Sequence, residues 1–407
     1  MDARRVAENA ARDSYGRLLA LLAARSNDIA SAEDALSDAF EAALKNWPER
    51  GVPANPDAWL MTAARNRMNN VYRHQQVQSA AVAELKQHFF APETTFNEYP
   101  DERLKLLFVC AHPAIDAALR TPLMMQAVLG LDAGRIANAF LVSPTTMGQR
   151  LVRAKSKIRD AGIRFEVPDP DIMPDRLMYV LDAIYAAFGQ AWDAVPAADA
   201  GAVDLTGEAI FLARLLVSLI PDDPEAKGLL ALMLYCEARR GARRSVDGAF
   251  IPLDEQDSTL WSREMIIEAE GLLTEAAKAQ TFGRYQTEAA IQSVHVQRAF
   301  LGATNYPALR QLYALLVGRH PSLGALISYA GVLMKLGDID AALAILNDLP
   351  TDRIANHQPY WVTRANVLLT LGQSSDARMA ADRAIGLTED AALRDYLRKT
   401  LFTKLRD

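Results

Sequence analysis

The side chains with the most to say about chemistry lie between Ser143 and Arg164. Ser143, Thr145, Thr146, Gln149, Arg150, Arg153 and Lys157 follow one another at helical spacing, with hydroxyls and an amide first and cations later. Amides and hydroxyls hydrogen-bond base edges, whereas cations neutralise phosphates. A helix with that order of groups is suited to entering a DNA major groove by its N-terminal end. The stretch from 143 to 164 holds six Lys/Arg against one Asp, and this local basicity would supply the salt-dependent part of such binding.

The elements that must position those groups are marked by punctuation. Ser143 is a helix N-cap and Pro144 occupies the first helical position, where a missing N–H costs nothing. Met147, Leu151, Ala154 and Ile158 form the apolar stripe on the other side of that helix. Upstream, Met124 to Leu129 ends at Gly130, and Ala133 to Phe140 forms a second short helix. Three such pieces within residues 121–161 make a helix-turn-helix. A structural hairpin with a solvated basic face has the same spacing, so the reading depends on the rest of the chain.

Two further polar faces precede it. In the helix that opens at Asp28, Ile29, Ala32, Leu36, Ala39 or Phe40, and Ala43 face a core, while Glu33, Asp34, Ser37, Asp38 and Glu41 face outward. Such a face is either solvated or a docking surface for a basic partner. In the next helix Leu60, Ala64, Met68 and Val71 point inward, and Asn66, Asn69, Asn70 and Arg73 form an outer stripe with Arg65 and Arg67 beside it. Asparagine is unfavourable in a helix interior, yet a row of amides can read unstacked bases while the arginines hold backbone. A plain polar surface fits that stripe equally well.

Composition sets the frame. The chain has 407 residues, half of them hydrophobic, and is rich in Ala and Leu without long Val/Ile/Thr runs, which predicts an all-α protein. Cys110 and Cys236 are the two cysteines and have no paired spacing, so neither a disulfide framework nor a cysteine zinc site is expected. Cys110 and His112 lack a second ligand pair, and Asp254 to Asp257 lack the glycine spacing of a calcium loop. With no phosphate-cradling glycine loop or nucleophile–base pair, no enzyme activity, metal or cofactor is expected. The N-terminus has no apolar signal core and no apolar run approaches eighteen residues, so a cytoplasmic protein without a membrane partner is expected. The net charge of −6 is unevenly spread: residues 1–165 hold 21 Lys/Arg against 18 Asp/Glu, and the acidity lies in the remainder. A nearly neutral reader with one basic helix binds DNA weakly alone, which implies that a larger machine brings it there.

AEDALSDAFEAAL, then AWLMTAARNRMNN, a linker, and QRLVRAKSKIR after the paired helices together resemble a bacterial RNA polymerase sigma factor of the extracytoplasmic-function type. The resemblance covers about the first 165 residues. It implies that residues 1–75 bind core RNA polymerase and the −10 element, that 76–100 are a linker, and that 101–165 bind the −35 element. Glu33, Asp34, Asp38 and Glu41 would dock on the polymerase. Arg65, Asn66, Asn69, Asn70 and Arg73 would handle the −10 strand, and Ser143, Thr145, Thr146, Gln149, Arg150, Arg153 and Lys157 the −35 promoter DNA. Two departures stand out: Asn70 replaces an Asp common in the family, and YRHQQ replaces a run of arginines. The second implies weaker contacts to upstream backbone.

Beyond the Pro- and Asp-rich stretch 166–175, helices resume. YAGVLMKLGDIDAA at 329–342 and RANVLLTLGQSSDA at 364–377 are self-similar at an offset of 35 residues, which resembles tetratricopeptide repeats. A helical solenoid over 170–407 is therefore expected, as a regulatory domain for a regulatory protein or for the chain's own sigma domains. LDEQD at 253–257 and GRYQTEAAIQSVH at 283–295 are similar to a subgroup of these sigma factors that carries such an extension. A helix-turn-helix regulator that works without polymerase, with the solenoid as sensor, is the alternative.

Overall fold

The computed structural model describes residues 3–76, 101–140, 142–193 and 205–404. Among them all regular structure is helical apart from one isolated bridge, Arg244 to Phe250, in agreement with the all-α expectation. The chain forms two compact units, Met1–Leu219 and Ile220–Asp407.

The first unit begins with α1 (Ala3–Asp13), α2 (Tyr15–Ser26), α3 (Ile29–Arg50) and α4 (Pro56–Gln76). Asp28 caps α3, its carboxylate accepting from Ala30 N at 3.0 Å and Ser31 N at 3.4 Å. Ile29, Ala32, Leu36, Ala39 and Ala43 are buried, as their spacing predicts, and Phe40 is half-buried. α4 lies against α3 through Leu60, Ala64 and Met68, and Trp47 meets Trp59 edge to face at 5.5 Å. The linker assigned to residues 76–100 lies, from 77 onward, outside the described residues.

The unit continues with α5 (Arg103–Cys110), α6 (Ala117–Leu129), α7 (Ala133–Ala139) and α8 (Pro144–Asp160). These helices do not stand apart from the first four, because α2 packs on both α5 and α6, and α3 packs on α8. The α2–α6 approach is so close that a Cβ on Gly16 would come within 2.0 Å of the Val128 carbonyl oxygen. No larger residue fits at that crossing without moving a helix.

α9 (Met173–Asp193) and α10 (Leu205–Leu219) complete the unit. The sequence places a boundary near residue 170, whereas the first compact unit extends to Leu219. The physical reason is the apolar face of α9: Leu177, Val180, Leu181, Ile184 and Phe188 are buried, and the helix packs on α5, α6 and α10. Polar contacts fasten it. Thr121 Oγ1 donates to the Ala183 carbonyl at 2.7 Å, Arg176 donates to the Phe108 carbonyl at 3.2 Å, and the Arg120 guanidinium lies 4.6 Å from the Tyr179 ring centroid.

The second unit is a succession of helices: α11 (Pro224–Glu237), α12 (Arg263–Ala277), α13 (Arg284–Leu301), α14 (Tyr306–Arg319), α15 (Leu323–Lys335), α16 (Ile339–Asn347), α17 (Thr351–Ile354), α18 (Gln358–Thr370), α19 (Ser374–Gly386) and α20 (Ala391–Lys404). Apolar clusters follow the chain order. Ile291 and Leu309 share a cluster with Val332, Leu333 and Leu346 with Val367, and Leu368 and Ala381 with Leu401. The two self-similar stretches fold as equivalent hairpins, α15–α16 and α18–α19. Ala330 and Ala365, Leu333 and Leu368, and Ala342 and Ala377 are all buried. Their turns match bond for bond: Asp338 N donates to Leu333 O at 2.9 Å, as Gln373 N does to Leu368 O at 3.0 Å. Gly337 (φ +87°) and Gly372 (φ +71°) supply the left-handed backbone that each turn requires.

One polar tie in this unit joins distant stretches. The Arg244 guanidinium forms a two-pronged pair with the Asp390 carboxylate, which also accepts from Ala392 N at 2.9 Å at the start of α20. The guanidinium holds the Asp390 carboxyl below the usual carboxylate range. A depressed folded value contributes stability that is present above the unfolded value near about 3.9 and is lost as pH falls through the folded one. Asp390→Asn preserves the cap and removes the charge. Urea unfolding at pH 7 should show the variant less stable than the parent chain, with the gap closing as the pH is brought towards 3. A gap of constant size would assign the effect to packing.

Candidate functional site

α8 is organised as the sequence predicts at its start and on its buried face. Ser143 Oγ accepts from Thr146 N at 3.1 Å and shares a 2.8 Å hydrogen bond with the Thr146 hydroxyl. Met147, Leu151, Ala154 and Ile158 are buried. On the opposite side Thr145, Gln149, Arg153 and Lys157 are exposed, and Thr146 and Arg150 are half-buried. Arg153 Nε donates to the Gln149 carbonyl at 3.3 Å, which leans the guanidinium back along the exposed face. Five of the seven residues singled out here therefore present polar ends on one surface. Ser143 and Thr146 spend their hydroxyls on the helix start.

On α4, Asn66 and Asn70 are exposed and Asn69 and Arg65 are half-buried. Arg73 belongs to the helix, but its side chain, like that of Val71, lies outside the described residues. Arg67 does not stand free to meet a nucleic-acid backbone: its Nε donates to Asp38 Oδ2 at 2.5 Å, an ion pair between α4 and α3.

The acidic face of α3 divides. Asp34 and Glu41 are exposed, Glu41 being paired with Lys45 one turn on, and Asp38 is engaged by Arg67. Glu33 departs from expectation. Its side chain retains 13% of its accessible surface and is ion-paired with Lys155 of α8, which retains 9%. The correction has a tertiary cause: Glu33 is on the outside of its own helix pair, and α8 packs over it. Lys155 Nζ also donates to Gln126 Oε1 of α6 at 3.1 Å. Glu33 Oε1 finds no hydrogen-bond partner among the described residues. Burial pushes the Glu33 carboxyl above its ordinary range, and the Lys155 charge opposes that shift. Tyr15 and Cys110 are pushed up as well, first by their own burial and then by the Glu33 charge.

Sequence reasoning missed Lys155 and Gln126. The signal for Lys155 was its register, since it directly follows Ala154 and lies between Leu151 and Ile158 on the side that faces the core. Among the described residues no group of three or more His, Cys, Asp and Glu side chains is arranged to hold a metal ion. His112 Nδ1 accepts a hydrogen bond from Ala114 N at 3.1 Å. No helix among the described residues is long and apolar enough to cross a membrane.

Comparison with known proteins adds three findings. The family model for sigma-70 region 2 matches residues 10–77, the α2–α4 segment, and a family of unknown function (DUF6596) matches residues 176–277. A protein of Rhizobium meliloti (strain 1021), "Uncharacterized protein R00370", is 37% identical over 377 residues, which cover 91% of this chain and 89% of that protein. No solved structure matches.

The geometry assigns Ser143 to the helix start, so Ser143→Ala should lower stability by about 1 kcal/mol in denaturant unfolding. An unchanged unfolding midpoint would free the hydroxyl for another role.

Proposed function

From the premise that this chain belongs to the same family as the Rhizobium meliloti protein and carries a sigma-70 region 2, we propose that it is an extracytoplasmic-function type sigma factor with a helical regulatory extension. A sigma-70 region 2 supports a sigma factor acting in transcription initiation, with core RNA polymerase and promoter DNA as partners. The observation that carries the finer reading is the pair of polar faces in one unit. Asn66, Asn69 and Asn70 lie on α4 within the region 2 match, and Gln149, Arg150, Arg153 and Lys157 lie on the capped helix α8.

In this reading the α4 amides handle unstacked −10 bases, with Arg65 and Arg73 on the strand backbone. The α7–α8 pair acts as a helix-turn-helix on the −35 element, Gln149 and Arg150 at base edges and Arg153 and Lys157 on phosphates. Asp34, Asp38 and Glu41 form the polymerase docking face. The protein catalyses no reaction; it positions the polymerase and stabilises melted strand. The repeated hairpins α15–α16 and α18–α19 make a tetratricopeptide-like regulatory surface, a kind of stack that usually binds protein.

Run-off transcription with purified core polymerase and a pool of promoters tests the reading, and promoter-specific transcripts from the full chain are the expected result. Asp34→Arg should weaken polymerase binding with unfolding unchanged. Arg150→Ala should alter preference at one −35 position by about 1–3 kcal/mol, whereas Lys157→Ala should weaken binding evenly across sequences and reduce the salt slope by about 1. A footprint on duplex DNA from the protein alone, without transcripts, would favour a regulator that works apart from polymerase.

A further inference from the structure

We propose that the groove between α20 and the turn at 245–249 in the second unit binds an extended peptide segment of a partner protein, held by an arginine side chain. The groove encloses about 930 Å³ and follows one face of α20, which lines it with residues between Ala391 and Thr403. At about 1.5 Å of rise per residue that face is roughly 18 Å long, the span of about five residues of extended chain. A single amino acid would cover only part of it. The proposal stands on the second unit alone and does not depend on the sigma factor reading.

The chemistry of the lining selects the cation. Beside the groove the chain already shows what an aromatic ring and a carboxylate take up here: the Arg244 guanidinium lies 5.9 Å from the Phe250 ring centroid and forms its two-pronged pair with Asp390. Phe250 meets Tyr396 edge to face at 5.4 Å, which carries the aromatic wall across to α20. Along the groove the same kinds of group recur without such a cation. Asp247, Glu255 and Asp395 are exposed there, and neither Asp247 nor Glu255 has an ion pair among the described residues. Lys399 is the one cation among the described lining residues, so three carboxylates face one ammonium. A planar guanidinium can lie against a ring and donate two N–H groups to one carboxylate, which a lysine ammonium does less well. The far wall is built in advance. Gly248 N donates to Ser245 O at 2.9 Å, Ser245 N donates to Ala249 O at 3.0 Å, and Gly248 supplies the left-handed backbone (φ +82°) of the turn. An incoming peptide therefore meets a surface that needs little ordering, which lowers the entropic cost of binding.

Fluorescence anisotropy with the full chain tests the proposal. The probe is a fluorescein-labelled hexapeptide of alanine and serine with one arginine at its third position, compared with the same peptide carrying lysine, citrulline or glutamate there. The arginine peptide should bind saturably, the lysine peptide several-fold more weakly, and the citrulline and glutamate peptides not at all. Asp247→Asn combined with Glu255→Gln should weaken the arginine peptide about tenfold, because charge-assisted contacts are lost while the shape is kept. Asp352→Asn combined with Asp382→Asn removes the same charge from exposed positions outside the groove lining and should bind as the parent does. All four side chains replaced are exposed, so both variants should unfold at the parent's midpoint. Equal loss in the two variants, equal binding of the arginine and glutamate peptides, or no saturable binding would each overturn the proposal. Competition by spermidine or arginine amide as strong as that by the unlabelled hexapeptide would overturn the extended partner in favour of a small cation. The assay contains neither polymerase nor DNA, so this proposal and the sigma factor reading fail separately.

Discussion

The described helices bury apolar faces against one another, and that constraint shapes both units. In the second unit it is met in series, each hairpin covered by the next, so Leu333 and Leu346 close one cluster and Leu368 and Leu401 another. In the first unit it is met by convergence. α2 covers α3, α5 and α6 together, which leaves little space between the two sets of helices and requires glycine at position 16. Serial and convergent coverage have different consequences for charge. The outer faces of the serial hairpins stay in water, whereas convergent packing buries what lies on the facing sides, as with Glu33 and Lys155 in the first unit and Arg239, held by Gln292, in the second.

That is how a carboxylate and an ammonium come to lie inside the first unit. Glu33 borders the apolar stripe of α3 and Lys155 that of α8, and both are covered because α8 packs on α3. Burial of both is tolerated because they neutralise each other and Gln126 supplies a further hydrogen bond. Apolar residues would fill the same volume without a desolvation cost. The charged pair makes the contact conditional on both partners being present, and such a contact is specific without being strong.

Much of this fold was legible in the sequence because its signals are local. Asp28, Ser143 and Gly130 mark helix ends through hydrogen bonds within four residues, and the Gly337 and Gly372 turns declare themselves by repetition. Periodicity likewise gave the buried faces of α3, α4 and α8. What was not legible depends on tertiary partners. The stretch 166–175 has the composition of a domain boundary, yet α9 returns to the first unit because its apolar face fits α5 and α6. Glu33 has the same local surroundings as Asp34, and its fate is set by a lysine 122 residues away. Arg67 was legible as a cation beside the asparagines but not as the partner of Asp38.

The same pair also bears on how α8 presents its polar face. A helix held only by Met147, Leu151, Ala154 and Ile158 can rotate by several degrees about its axis, since methyl and methylene contacts change little over such an angle. A hydrogen-bonded ammonium adds a directional preference, since its bonds weaken with misalignment, while its flexible stem absorbs part of the rotation. Lys155, bonded to Glu33 of α3 and Gln126 of α6, therefore favours the azimuth of α8 at which Gln149, Arg153 and Lys157 face away from those helices.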